Sequence, residues 1–146
     1  MKDDHDDNDS GRLFEHDVLG KGVDICYRGK QVIYKSYKKA MSEVIDFVNR
    51  TNWLPFDPIH DLCNDIHASV AEELGLDNIN HLKVYPAVGS SLDVYHGVDM
   101  FFTLGKKVVT VDLTVKEKDD YKADITICPD EVENLPTLAK KISKMF

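Results

Sequence analysis

The segment "GVDMFFTLGKKVVTVDLTVK", Gly97 to Lys116, restricts the possible folds more than any other part of the chain. Two runs rich in Val, Phe and Thr flank a Leu-Gly-Lys turn, the pattern of a β-hairpin. An isolated hairpin is marginal in water, so this one needs further strands or helices to cover it. It also carries Asp99 and Asp112 within its most strand-like part, with Lys116 four residues beyond the second aspartate. Carboxylates inside a covered sheet cost free energy unless something compensates them.

The remaining segments supply the cover. Ser36 is placed to cap a helix reaching about Arg50, with Ala40, Met41, Val44, Phe47 and Val48 at the three-and-four spacing of one buried face. Asp57 and Pro58 read as the N-cap and first position of a second helix closed by Gly75, with Ile59, Leu62, Cys63, Ile66, Val70 and Leu74 as its apolar stripe. At about 100° per residue Glu73 falls inside that stripe, whereas Asp61, Asp65 and Glu72 fall outside it. "LKVYPAV" is a strand that Pro86 assigns to an edge or end, "GSSLDVYH" a loop or irregular strand start, and "KADITIC" a further strand. Asn134 caps a last helix with Pro136 in its first turn and Leu138, Ile142 and Met145 on its buried side. Near the amino terminus, Asp24 to Tyr27 and Gln31 to Tyr34 flank "RGK" and predict another hairpin, echoing the Gly-Val-Asp and Gly-Lys elements of the later one. The expected class is α+β (mixed α/β): a central mixed sheet flanked by helices, with an N-terminal hairpin and helix.

A chain of 146 residues suits one domain. Residues 1–10, with five aspartates and one lysine, lack apolar groups and predict a disordered acidic tail, leaving 11–146 as a single domain. The acidic start is unlike a signal peptide, and no apolar run approaches the roughly 20 residues of a membrane span, so a cytoplasmic protein without a membrane partner is expected. Cys26, Cys63 and Cys128 are odd in number and form no CxxC pair, which argues for reduced thiols. The net charge of −8 speaks against nonspecific binding to nucleic acid through a basic surface, but a metal-binding carboxylate cluster is itself negative until its cation arrives.

Across a hairpin turning at Gly105, Asp99 and Asp112 become neighbours, and like charges so placed repel unless neutralised. Mg2+, or Mn2+ in its place, accepts a few carboxylate oxygens with water and a phosphate oxygen completing the shell. Asp99, Asp112 and the Leu113 carbonyl are candidate ligands, and Glu73 adds another from the helix behind the sheet. Such a cation polarises phosphorus and acidifies water, while Lys116 orients the nucleophile and offsets charge on the phosphate.

The succession of helix, "GVD", hairpin, "VDLTVK", strand and helix resembles the PD-(D/E)xK, or restriction-endonuclease-like, nuclease superfamily over about residues 57–146. The resemblance implies that Asp99 corresponds to the aspartate opening the second core strand, Asp112 to the acidic residue of the third, and Glu73 to the helical glutamate of some members. Thr114 stands where that family has its lysine. Lys116, on the same face of an uninterrupted strand, starts roughly 13 Å from Asp112 instead of about 7 Å. The implied activity is Mg2+-dependent endonucleolytic hydrolysis of DNA phosphodiester bonds, by a homodimer, since one small domain reaches little of a duplex. The alternative is a catalytically inactive nuclease-like fold that binds or inhibits a nucleic-acid-processing partner through that partner's basic groove.

Other groups have plainer readings. Asp93 and His96 lie just ahead of Asp99 and fit a solvated loop or an auxiliary base. His60, Cys63 and His67 share one helix face, but Cys63 belongs to the apolar stripe and a fourth zinc ligand is lacking. Lys140, Lys141 and Lys144 match the carboxyl-terminal dipole of the last helix, and Trp53 reads as core or interface.

Overall fold

The hairpin lies at the centre of the sheet. In the computed structural model, which describes residues 2–27, 31–116 and 120–146 and only the backbone of 2–9, β2 (Met100–Leu104) and β3 (Lys107–Leu113) pair antiparallel with Leu104 opposite Lys107. Gly105 has φ +61°, the left-handed conformation that a two-residue hairpin turn requires at its first position. β1 (Leu82–Pro86) pairs antiparallel with β2, and β4 (Ile125–Ile127) pairs parallel with β3, giving the order β1-β2-β3-β4.

Register explains the core. Val84, Phe102 and Val109 stand side by side, as do Met100, Val111 and Ile125, and Leu113 with Ile127; all are buried. This sheet face is apolar except for the exposed Lys107 at the hairpin end. The opposite face carries Tyr85 stacked on Phe101 at 5.1 Å, then Thr110, and beyond it Asp112. Asp124 clips β3 to the start of β4: its Oδ2 accepts from Thr110 N–H at 2.9 Å, and its own N–H donates to Thr110 Oγ1 at 2.8 Å.

Among the described residues, five helices flank the sheet: α1 (Lys2–Leu19), α2 (Tyr37–Val48), α3 (Asp61–Glu73), α4 (Ser91–His96) and α5 (Leu135–Ser143). α3 packs on α5 and β1, α2 on β1 and α4, and α1 on α3 and β3. α2 and α5 occupy their expected positions, with Asn134 Oδ1 capping Thr137 N–H at 3.4 Å. No helix is long and apolar enough to cross a membrane, among the described residues.

Several expectations are corrected. The N-terminal hairpin is absent among the described residues: Gly20–Asp24 is a 3-10 turn, Gln31–Ser36 is irregular, and the proposed turn at 28–30 lies outside the described residues. Ile33 and Tyr34 are exposed, so two short strands there would bury too little to hold together. The free edge of β1 is covered instead by residues 53–55: Trp53 Nε1–H donates to Val84 O at 2.9 Å and Val84 N–H to Pro55 O at 2.8 Å. The acidic opening segment is helical, continuous with α1, where aspartates in the first turns suit the positive end of the helix dipole. α3 starts at Asp61 rather than at Pro58; Asp57 instead accepts from Asn64 Nδ2 at 2.8 Å, bracing the turn ahead of the helix. "GSSLDVYH" forms α4, capped by Ser90, whose Oγ accepts from Asp93 N–H, and ended by Gly97 at φ +70°. Met145 is exposed, because α5 ends at Ser143.

Candidate functional site

Asp99 enters β2 held by backbone on both sides: its N–H donates to Val111 O and its carbonyl accepts from Ala87 N–H, each at 2.8 Å. Its side chain reaches past Asp112, where Oδ2 accepts from Leu113 N–H at 2.8 Å. The two strands thus carry Asp99 and Asp112 to one point, with their carboxyl groups within hydrogen-bonding reach. Asp99 is 4% exposed and Asp112 8%.

Two further carboxyl groups join them. Asp93 on α4 is oriented by Gly89 N–H, which donates to its Oδ2 at 2.8 Å across a turn that Gly89 makes at φ +85°. It comes within hydrogen-bonding reach of Asp99. Glu15 descends from α1 between the buried Phe14 and Val18 and also meets Asp99.

Burial, the charges of Asp93 and Glu15, and the carboxyl contacts with Asp93 and Asp112 push Asp99 well above the usual carboxylate range. Glu15 is pushed up to about 7, by burial first and then by Asp93 and Asp112; its contact with Asp99 and the Arg12 guanidinium act in the opposite direction. Asp99 is therefore the hub, able to share a proton with three neighbours. A shared proton is one way to hold such a cluster together, and a divalent cation is another. Among the described residues no three His, Cys, Asp or Glu groups stand at metal-ligating spacing.

Other candidates fall elsewhere. Glu73 is exposed at the end of α3. Leu62 and Ile66 bracket Glu73 in angle and set that edge of the inferred stripe, but Leu62 is only partly buried, and the buried set Cys63, Ile66, His67, Val70 and Ala71 centres roughly 90° away from Glu73. Lys116 is exposed beyond the end of β3, where strand alternation no longer governs its direction. Leu113 turns its N–H towards Asp99 and is otherwise buried.

The zinc-like trio is accounted for separately. His60 Nε2 lies 2.7 Å from Asp17 O and His67 Nε2 2.7 Å from Leu82 O. Cys63 is 1% exposed, with its thiol pushed up to about 12 by burial. Trp53 is core.

Glu15 is the residue that reading the sequence missed. Its signal was present: at about 100° per residue it points between Val18 and Leu19, inside the apolar arc that begins at Phe14. Recognising it required a helix over residues that otherwise resembled the approach to a hairpin. No family model, curated protein or solved structure matches this chain.

Proposed function

We propose that this protein is a Mg2+-dependent endonuclease hydrolysing DNA phosphodiester bonds, with Asp99 and Asp112 as its central acidic pair. The carrying observation is the convergence of these two buried carboxyl groups from the start of β2 and from β3, joined by Glu15 and Asp93. The donor set fits the cation: all its groups are hard oxygen ligands, and Mg2+ or Mn2+ would relieve the repulsion among them. When bound, such an ion supplies Lewis-acid activation of phosphate and a more acidic water.

The chain's own residues divide the remaining work. Asp99, anchored by Leu113 N–H, and Asp112 hold the ion, and the adjacent Leu113 carbonyl is a further candidate ligand. Glu15 takes the part assigned above to Glu73, as the helical acidic group. Asp93, fixed by Gly89 N–H, orients Asp99. Because Thr114 occupies the position of the family's lysine, the cationic role falls to Lys116 or to Lys122. Lys122 Nζ donates to Tyr95 O at 3.3 Å, beside the Gly97 turn that leads into Asp99.

Supercoiled plasmid incubated with Mg2+ or Mn2+ tests this reading. The parent should nick or linearise it, and Asp99→Ala and Asp112→Ala should abolish cleavage. Lys116→Ala and Lys122→Ala, assayed in parallel, assign the cationic group. The acidic charge and Thr114 also favour a second reading, an inactive nuclease-like fold that binds a partner's basic groove. Absence of cleavage of both the plasmid and a single strand by the parent, with either metal, would transfer the assignment to that reading.

A further inference from the structure

Four rings gather at the surface beside α4. Tyr34 meets Tyr95 edge to face, with ring centres 5.3 Å apart and planes at 85°, and stands 5.7 Å from His96; Tyr37 meets His96 at 5.8 Å and 76°. Tyr34 is 60% exposed and Tyr37 44%. Edge contacts of this kind leave ring faces open to a further partner. The cluster is also braced: Tyr95 Oη–H donates to Val32 O at 2.8 Å, His96 Nε2 lies 2.8 Å from Lys35 O, and Lys35 N–H donates to Ser91 Oγ at 3.1 Å.

Two structural paths link this patch to the carboxylate cluster. Tyr95 and His96 share the six-residue α4 with Asp93, which contacts Asp99. Tyr37 feels the charge of Asp124, which is hydrogen-bonded to Thr110 on β3, two residues before Asp112. Lys122 lies between these paths, with its ammonium on Tyr95 O and its stem beside Gly97.

We propose that Tyr34 and Tyr37, braced by Tyr95 and His96, form a stacking platform for unpaired bases, and that the preferred substrate is single-stranded DNA. The identification of the substrate as DNA rests on the nuclease reading above; the preference for unpaired bases rests on the rings. The net charge of −8 disfavours phosphate neutralisation over the surface as a whole, the term that dominates duplex binding. Stacking on aromatic side chains supplies affinity without that term, and only unpaired bases offer their faces to it.

The test measures binding by fluorescence anisotropy, with Ca2+ replacing Mg2+, to labelled oligothymidylate, to the same strand in a duplex, and to an abasic strand of equal length. Cleavage of the first two is followed separately in Mg2+. The parent should prefer the single strand over the other two by about tenfold or more, and Tyr34→Ala and Tyr37→Ala should each weaken that binding roughly 5- to 100-fold. Tyr34→Phe and Tyr37→Phe should retain it, and circular dichroism checks that each variant is folded. Equal binding of abasic and normal strands, or unchanged binding by folded alanine variants, overturns the platform even if cleavage persists. Conversely, tyrosine-dependent binding of the single strand without cleavage in Mg2+ or Mn2+ upholds the platform and removes the nuclease reading.

Discussion

Replacing Glu15 with Gln should stabilise the metal-free protein in a pH-dependent way. Glu15 is pushed from its ordinary 4.5 up to about 7, first because burial disfavours its charged form and then because ionising it adds negative charge beside Asp93 and Asp112. A carboxyl group raised by folding favours the native state while protonated, and that contribution is lost as pH rises through about 7. The full shift corresponds to about 3.4 kcal/mol at 1.36 kcal/mol per unit, which solvent screening of the half-buried side chain reduces to about 1–2 kcal/mol. Gln cannot ionise, so above about pH 8 the Glu15→Gln variant should be the more stable by that amount. For a chain of this size, Tm should rise by roughly 3–6 °C. Near pH 4 the parent's carboxyl is itself protonated and the two curves should approach each other. Thermal melts in EDTA across this range measure the effect. A variant no more stable than the parent in alkaline buffer, or one with the same offset in acid, would show that burial and the acidic neighbours do not raise Glu15 as argued.

Mg2+ should raise the Tm of the parent in a concentration-dependent manner, and much less that of Asp112→Asn, because the ion stabilises only a state that binds it; differential scanning fluorimetry suffices. Asp99→Ala should lose cleavage and also about 1–3 kcal/mol of stability, since Leu113 N–H is left without its acceptor; urea unfolding separates the two effects. Cys63 should resist iodoacetamide in the folded protein and react on denaturation, as followed by peptide mass spectrometry, because its thiol is buried and remains protonated in mildly alkaline buffer. Gly105→Ala should cost about 1–2 kcal/mol in urea unfolding. Nothing lies within 4 Å of the added methyl, so the penalty is conformational, from φ +61°.

The strands from Leu82 to Ile127 and the helices α2 and α5 were legible because their patterns are local: β-branched and aromatic runs, a Gly turn, Ser36 and Asn134 at helix starts, and three-and-four spacing of apolar residues. The convergence of Asp99 and Asp112 followed from the same hairpin. What escaped was decided by tertiary packing. Residues 24–34 satisfy hairpin composition, but the edge of β1 is covered by Trp53 and Pro55, which their own two prolines had marked only as a break. Glu73 and Glu15 were misplaced for a related reason. Leu62, only partly buried, widened an inferred stripe far enough to take in a surface glutamate, while the helix holding the inward glutamate went unrecognised.

Thr114 follows the end of β3 and stands where the nuclease reading would place a lysine. Its N–H still pairs with Ile127 O at 3.0 Å, continuing the ladder, but its hydroxyl donates to Lys116 O at 2.7 Å and accepts from Lys116 N–H at 3.2 Å. Those side-chain bonds replace strand partners and redirect the backbone within two residues. A lysine at position 114 would point along β3 beside Asp112 and its ammonium would neutralise part of the carboxylate cluster. Threonine there leaves the four acidic groups without that cation and ends the strand. Under the nuclease reading, Thr114→Lys should therefore lower the raised pKa of Glu15 and weaken the stabilisation by Gln at that position. If the redirected backbone rather than the absent charge governs activity, the same substitution should leave cleavage unchanged while the pH dependence of stability flattens.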